Sequence, residues 1–88
     1  MDWPVWWSWE LELTPPLMKR MLDRQFNEVD LRLMVDAATD FHENHEVGRF
    51  VVRTTHDGSR WTVIVEPSSD DQVLIVVTAY PLDGLEPW

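Results

Sequence analysis

The run Val73-Leu74-Ile75-Val76-Val77-Thr78-Ala79-Tyr80 constrains the fold more than any other part of the chain. It is rich in β-branched residues and apolar on both faces of an extended backbone, the pattern of a central strand. Pro67-Ser68-Ser69-Asp70-Asp71 before it has turn chemistry. Pro81 stops it, because proline cannot donate a hydrogen bond into a ladder. The chain must therefore supply neighbours for this strand and a layer to cover it.

Two neighbours lie immediately upstream. Residues 49–54 and 60–66 read as strands, and His56-Asp57-Gly58-Ser59 between them is a hairpin turn. A further strand stands near the start, where Trp7-Ser8-Trp9-Glu10-Leu11-Glu12-Leu13 alternates strictly. Trp7, Trp9, Leu11 and Leu13 share one face, and Ser8, Glu10 and Glu12 the other. Trp3, Pro4 and Trp6 form an aromatic lead-in.

Helical periodicity fills the interval. Thr14 is placed to cap a helix with Pro15 at its first position, and Leu13 with Met18 has the spacing of a hydrophobic staple. Leu17, Met18, Met21 and Leu22 form the apolar stripe, with Lys19, Arg20, Asp23 and Arg24 mostly outside it. After a Gln25-Phe26-Asn27 corner, Asn27 and Asp30 start a second helix, and Phe26 with Leu31 repeats the staple. Leu31, Met34, Val35 and Ala38 then follow the helical period to about Thr39. Asp40 to Val47 is polar and reads as a loop. The expectation is one α+β domain of order β-α-α-β-β-β. Its four-stranded, mostly antiparallel sheet carries both helices on one face. The core spans about 7–81, with a lead-in at 1–6 and a tail at 82–88 ending in Trp88.

Composition narrows the function. With no cysteine among 88 residues, disulfides, thiol nucleophiles and thiolate metal sites are excluded. An apolar share of 44% with six Trp is folding material rather than a disordered tract. No apolar run approaches the ~20 residues of a membrane span, and Met1-Asp2-Trp3-Pro4 lacks the basic start of a signal peptide, so a cytoplasmic location is expected. No motif asks for a cofactor. The 7 Lys and Arg stand against 16 Asp and Glu, a net charge of −9. That field repels a polyanion such as RNA and favours a basic partner, or simply solubility.

Strand parity sorts the polar side chains. Phe50, Val52, Trp61, Val63, Val65, Val73, Ile75 and Val77 are expected beneath the helices. The open face then holds Arg49, Arg53, Thr62, Glu66, Thr78 and Tyr80, with Ser8, Glu10 and Glu12. Guanidiniums, carboxylates and a phenol on one face are the groups of metal-independent phosphodiester cleavage. Arg49 and Arg53 would bind phosphate, and Glu66 or Tyr80 would move protons. A solvated sheet face with cross-strand Arg–Glu pairs has the same sequence pattern.

His42-Glu43-Asn44-His45-Glu46, with His56, contains metal-ligand types but no spacing that sets a geometry, and a hydrophilic loop is the plainer reading. His56 is read as a turn residue rather than a general base. Trp7 and Trp9 are core by their alternation. Trp3, Trp6 and Trp88 have no slot in the pattern, which leaves a partner or homo-oligomer contact or a fold back onto the domain.

The segments 17–26 (Leu-Met-Lys-Arg-Met-Leu-Asp-Arg-Gln-Phe), Gly48-Arg49-Phe50-Val51-Val52, Trp61-Thr62-Val63-Ile64-Val65-Glu66-Pro67 and Val76-Val77-Thr78-Ala79-Tyr80-Pro81 resemble a small bacterial domain family. That family is placed beside BrnT- and RelE-like toxins in the barnase–colicin–RelE superfamily. The resemblance covers roughly residues 11–82. It implies a RelE-like fold and a toxin-like ribonuclease paired with an antitoxin. Arg20, Arg24, Arg49, Arg53, Glu66, Thr78 and Tyr80 fall within it, and none takes a role from the family's motifs. Arg20, Arg24 and Thr78 are candidate binding residues on this reading. The chain departs from the family in being acidic and in carrying Pro15-Pro16-Leu17 where members often have a histidine. The alternative is a non-catalytic acidic module for a basic protein or a second copy, with Trp3 and Trp6 as contacts.

Overall fold

Side-chain caps start both helices, as their local spacing predicts. The Thr14 hydroxyl accepts the Leu17 amide at 3.3 Å, and Pro15 begins α1 (Pro15–Arg24). Asn27 and Asp30 form a reciprocal capping box, with bonds of 2.9 and 3.0 Å, at the start of α2 (Glu28–Asp36). The computed structural model describes residues 3–82, so Trp88 and the rest of the tail beyond Leu82 lie outside the described residues.

The strands are β1 (Glu10–Leu13), β2 (Asp40–Glu43), β3 (Phe50–His56), β4 (Ser59–Ser68) and β5 (Val73–Pro81). They form one five-stranded sheet of order β1-β5-β4-β3-β2. β1 runs parallel to β5, and the other pairings are antiparallel. The apolar run 73–80 therefore has a strand on each side. The β3–β4 hairpin turns through Asp57 and Gly58, both left-handed at φ 51° and 78°, as a two-residue turn matched to strand twist requires.

Leu17, Leu31 and Met34 bury their side chains on the sheet face made by Val52, Val63, Val65, Leu74, Val76 and Ala79. Phe26 meets Trp61 edge-on at 5.2 Å. The last carbonyls of a helix lack partners within it, and here donors from elsewhere in the chain satisfy two of them. The Thr54 hydroxyl donates to the Met34 carbonyl. The Trp7 indole N–H donates to the Val35 carbonyl at 3.1 Å. These bonds tie the end of α2 to β3 and to the N-terminal segment.

Three features differ from the sequence pattern. The sheet has five strands rather than four, because Asp40–Glu43 pairs with Phe50–Arg53 instead of forming a loop. With one apolar side chain, Phe41, in a four-residue edge strand, there is too little alternation to read. The first strand starts at Glu10 rather than Trp7. Val5–Ser8 is a short 3-10 helix, its turns closed by Trp7 N to Pro4 O at 3.0 Å and Trp9 N to Trp6 O at 3.1 Å. Finally, Leu74 and Val76, not Val73, Ile75 and Val77, are fully buried beneath the helices. Ile64 pairs with Thr78 but Val65 with Val76, so Val77 is the extra residue of a bulge. The bulge resets the parity, and Thr78 and Tyr80 still face away from the helices. The Val77 carbonyl accepts the Thr14 hydroxyl at 3.1 Å, so one threonine both caps α1 and grips the bulge.

Candidate functional site

The face of the sheet away from the helices is built from cross-strand rows. Asp40, Arg53, Thr62 and Tyr80 stand in one row across β2, β3, β4 and β5. His42, Val51, Ile64 and Thr78 form the next. Arg49, just ahead of β3, reaches Glu66, whose row continues through Ile75 to Glu12. Arg49, Arg53, Glu66, Thr78 and Tyr80 thus share the open face. The row of His42, Val51, Ile64 and Thr78 separates the two arginines.

Both guanidiniums stand beside carboxylates. Arg49 is held between two carboxylates, with Nη1 at 2.7 Å from Glu46 Oε2 and Nε donating to Glu66 Oε1 at 3.2 Å. Arg53 Nε stands 3.7 Å from Asp40 Oδ1, a buried oxygen with no hydrogen bond. Half-exposed pairs of this kind are worth about 0–1 kcal/mol each, so a phosphate would not be barred by their strength alone. The charge balance of the face bears on it more. Three arginines, Arg49, Arg53 and Arg60, share this face with Asp40, Glu46, Glu66, Glu10 and Glu12, which leaves it net negative. A face of this sign disfavours a phosphodiester.

Arg20 and Arg24 lie elsewhere. They are exposed on α1, beside Pro16, Lys19 and Asp23 around a shallow depression in the helical layer. The four arginines proposed from sequence are thus divided between opposite sides of the molecule.

The lead-in folds back onto its own domain. Trp3 lies 4.5 Å from Trp7 and 5.4 Å from Phe41 between ring centres, and Trp6 lies 5.0 Å from Phe50. Trp6 and Trp7 pack against the core, whereas Trp3 keeps 41% of its surface exposed. His42 is exposed on the edge strand and His45 in the following loop, while His56 packs edge-on against Trp61 at 5.5 Å. Among the described residues no three His, Asp or Glu gather as a metal site would require. No helix among them is long and apolar enough to cross a membrane.

Sequence reading missed the apolar residues left outside. Met18 and Leu22, placed by their spacing in the apolar stripe of α1, are exposed, Leu22 to 82%, because only Leu17 is fully buried on that helix. Val29 is 67% exposed. Val29 lies off the apolar stripe of its helix, a signal available from periodicity alone. Comparison with protein-family models, curated proteins and solved structures returns no match, so the likeness to BrnT- and RelE-like toxins rests on the sequence segments alone.

Proposed function

We propose that this chain is a non-catalytic module that binds a basic protein partner. The carrying observation is the open sheet face, where carboxylates outnumber guanidiniums and Arg49 and Arg53 each stand beside a carboxylate. Beyond it, Glu10, Glu12, Glu28, Glu43, Asp70 and Asp71 are exposed and make no ion pair with another described residue. A surface of this sign steers cations toward it and raises their encounter rate.

The ribonuclease reading draws its support from the shared open face of Arg49, Arg53, Glu66 and Tyr80. It requires RNA to displace three carboxylates from a negative surface, which makes it the weaker of the two. Lys19, Arg20 and Arg24, which make no ion pair with another described residue, sit on the far side of the sheet and cannot complete that site.

Parallel titration with an unstructured arginine-rich peptide and a single-stranded RNA of equal length separates the readings. The peptide is expected to bind, with affinity falling as salt rises, and the RNA to remain unbound and uncut. RNA cleavage abolished by Arg53→Ala with Glu66→Ala would overturn the binding-module reading.

A further inference from the structure

We propose that the outer edge of β1 accepts an added strand from the partner, a cationic segment with apolar residues at alternate positions; this rests on the basic-partner reading and assigns it a surface. β1 ends the sheet, with β5 on one side and no strand among the described residues on the other. An edge strand presents a row of backbone N–H and C=O groups ready to pair with another chain.

The helical layer stops short of this edge and leaves two grooves. One, of about 300 Å³, lies between Leu11 and Val29, with Trp9 and Glu28 on its walls. The other, of about 430 Å³, lies between Leu13 and the side chains of Met18, Met21, Leu22 and Phe26. Glu28 borders both. Leu11 and Leu13 are two residues apart, the repeat at which an extended chain returns to the same face, about 6.8 Å. A strand laid along β1 would therefore set successive same-face side chains into the two grooves. Their apolar walls call for apolar residues, and Leu22 and Val29 would lose exposed surface to them.

The opposite face names the partner's charge. Glu10 and Glu12 are exposed, and their neighbours on β5 are Val73 and Ile75. No described cation pairs with either glutamate. Residues beside them on an added strand would be Lys or Arg, since opposite charges on adjacent strands attract and like charges repel. The same rule disfavours a second copy of this chain. Two β1 edges set antiparallel would oppose Glu10 and Glu12 to each other across the join.

The test uses three labelled peptides of equal length: alternating Lys-Val, alternating Glu-Val and alternating Lys-Gly. Binding is followed by fluorescence anisotropy, and β1 by amide hydrogen exchange. Lys-Val is expected to bind most tightly and to slow exchange at β1 amides. Glu10→Lys with Glu12→Lys, both exposed, is expected to weaken Lys-Val binding about tenfold or more and to favour Glu-Val, as attractive pairs become repulsive. Leu22→Asp with Val29→Asp is expected to weaken Lys-Val without weakening Lys-Gly. Far-UV circular dichroism identifies any variant that has unfolded, and peptide protection at β1 of the wild type tests the surface independently of variants. If Lys-Val binds wild type and the lysine variant alike and β1 exchange is unchanged, the edge assignment is overturned while the basic-partner reading stands. If neither lysine peptide binds, or Glu-Val binds as tightly as Lys-Val, both are overturned.

Discussion

The Arg32 guanidinium donates to the Trp7 carbonyl at 2.7 Å, and through its other terminal nitrogen to the Trp9 carbonyl at 3.1 Å. One side chain of α2 thereby holds both ends of the passage from the 3-10 turn into β1. The same guanidinium also bonds Asp36 at 3.0 Å, one helical turn on.

These two sets of contacts have different weights. The carbonyl bonds are part-buried and charge-assisted, whereas the Asp36 pair is exposed and spans i to i+4. Arg32→Met, which keeps the aliphatic stem, is expected to cost about 1–3 kcal/mol by stranding the carbonyls. Asp36→Ala is expected to cost about 0.5 kcal/mol or less. Urea denaturation of both variants checks the contrast. Equal losses would place the stabilisation in the surface pair.

Thr54→Val tests the end of α2 with almost no change of shape. Thr54 is fully buried, and its hydroxyl serves the Met34 carbonyl at a helix end that cannot serve itself. Valine keeps the volume and leaves that carbonyl without its donor, an expected loss of about 1–3 kcal/mol. Thr54→Ser restores the donor at the cost of a methyl group, about 1 kcal/mol. The denaturant midpoints should therefore rank wild type above serine and serine above valine.

Legibility in the sequence follows the range of the interaction. The caps at Thr14 and at Asn27 with Asp30 act over three residues, and the Asp57-Gly58 turn over two, so each can be read locally. Alternation around Phe50, Val52, Trp61, Val63 and Val65 is equally local and sorts β3 and β4 correctly. The Val77 bulge is a property of how β5 meets β4, and nothing in the run 73–80 marks which valine is extra. Trp7 presents the same difficulty, because its alternation with Trp9 fits a strand while its indole is used to cap a helix 28 residues away. At the candidate site, parity puts the arginines on the open face. The Arg49–Glu66 pair is of the cross-strand kind that the pattern allows, whereas Glu46 and Asp40, the other partners, lie in a segment that reads as loop.

The ion pairs of the open face yield a stability prediction opposite to that for Arg32. Arg49 and Glu66 are about one-third and two-fifths exposed, so solvent screens them, and Arg49 keeps Glu46 when Glu66 is neutralised. Glu66→Gln is expected to shift stability by about 1 kcal/mol or less. It also leaves the face with more carboxylates than guanidiniums, so RNA binding should not emerge. A rise in RNA affinity in this variant would show that Arg49 is a phosphate site held shut by Glu66.

The edge of β1 is where sheet architecture and charge meet most directly. An unpaired edge bordered by apolar grooves is prone to join a second copy, and exposed charges on edge strands are a recognised guard against it. Glu10 and Glu12 fill that role here, because an antiparallel join of two β1 strands would bring four carboxylates together. Glu10→Thr with Glu12→Thr removes the repulsion and raises strand propensity at the same positions. The double variant is expected to self-associate in a concentration-dependent way, detected by light scattering after size-exclusion chromatography, whereas wild type is expected to stay monomeric in parallel runs. Adding Leu22→Asp and Val29→Asp should restore the monomer by spoiling the grooves on which the join depends. A threonine variant that remains monomeric at millimolar concentration would mean that something other than Glu10 and Glu12 protects the edge.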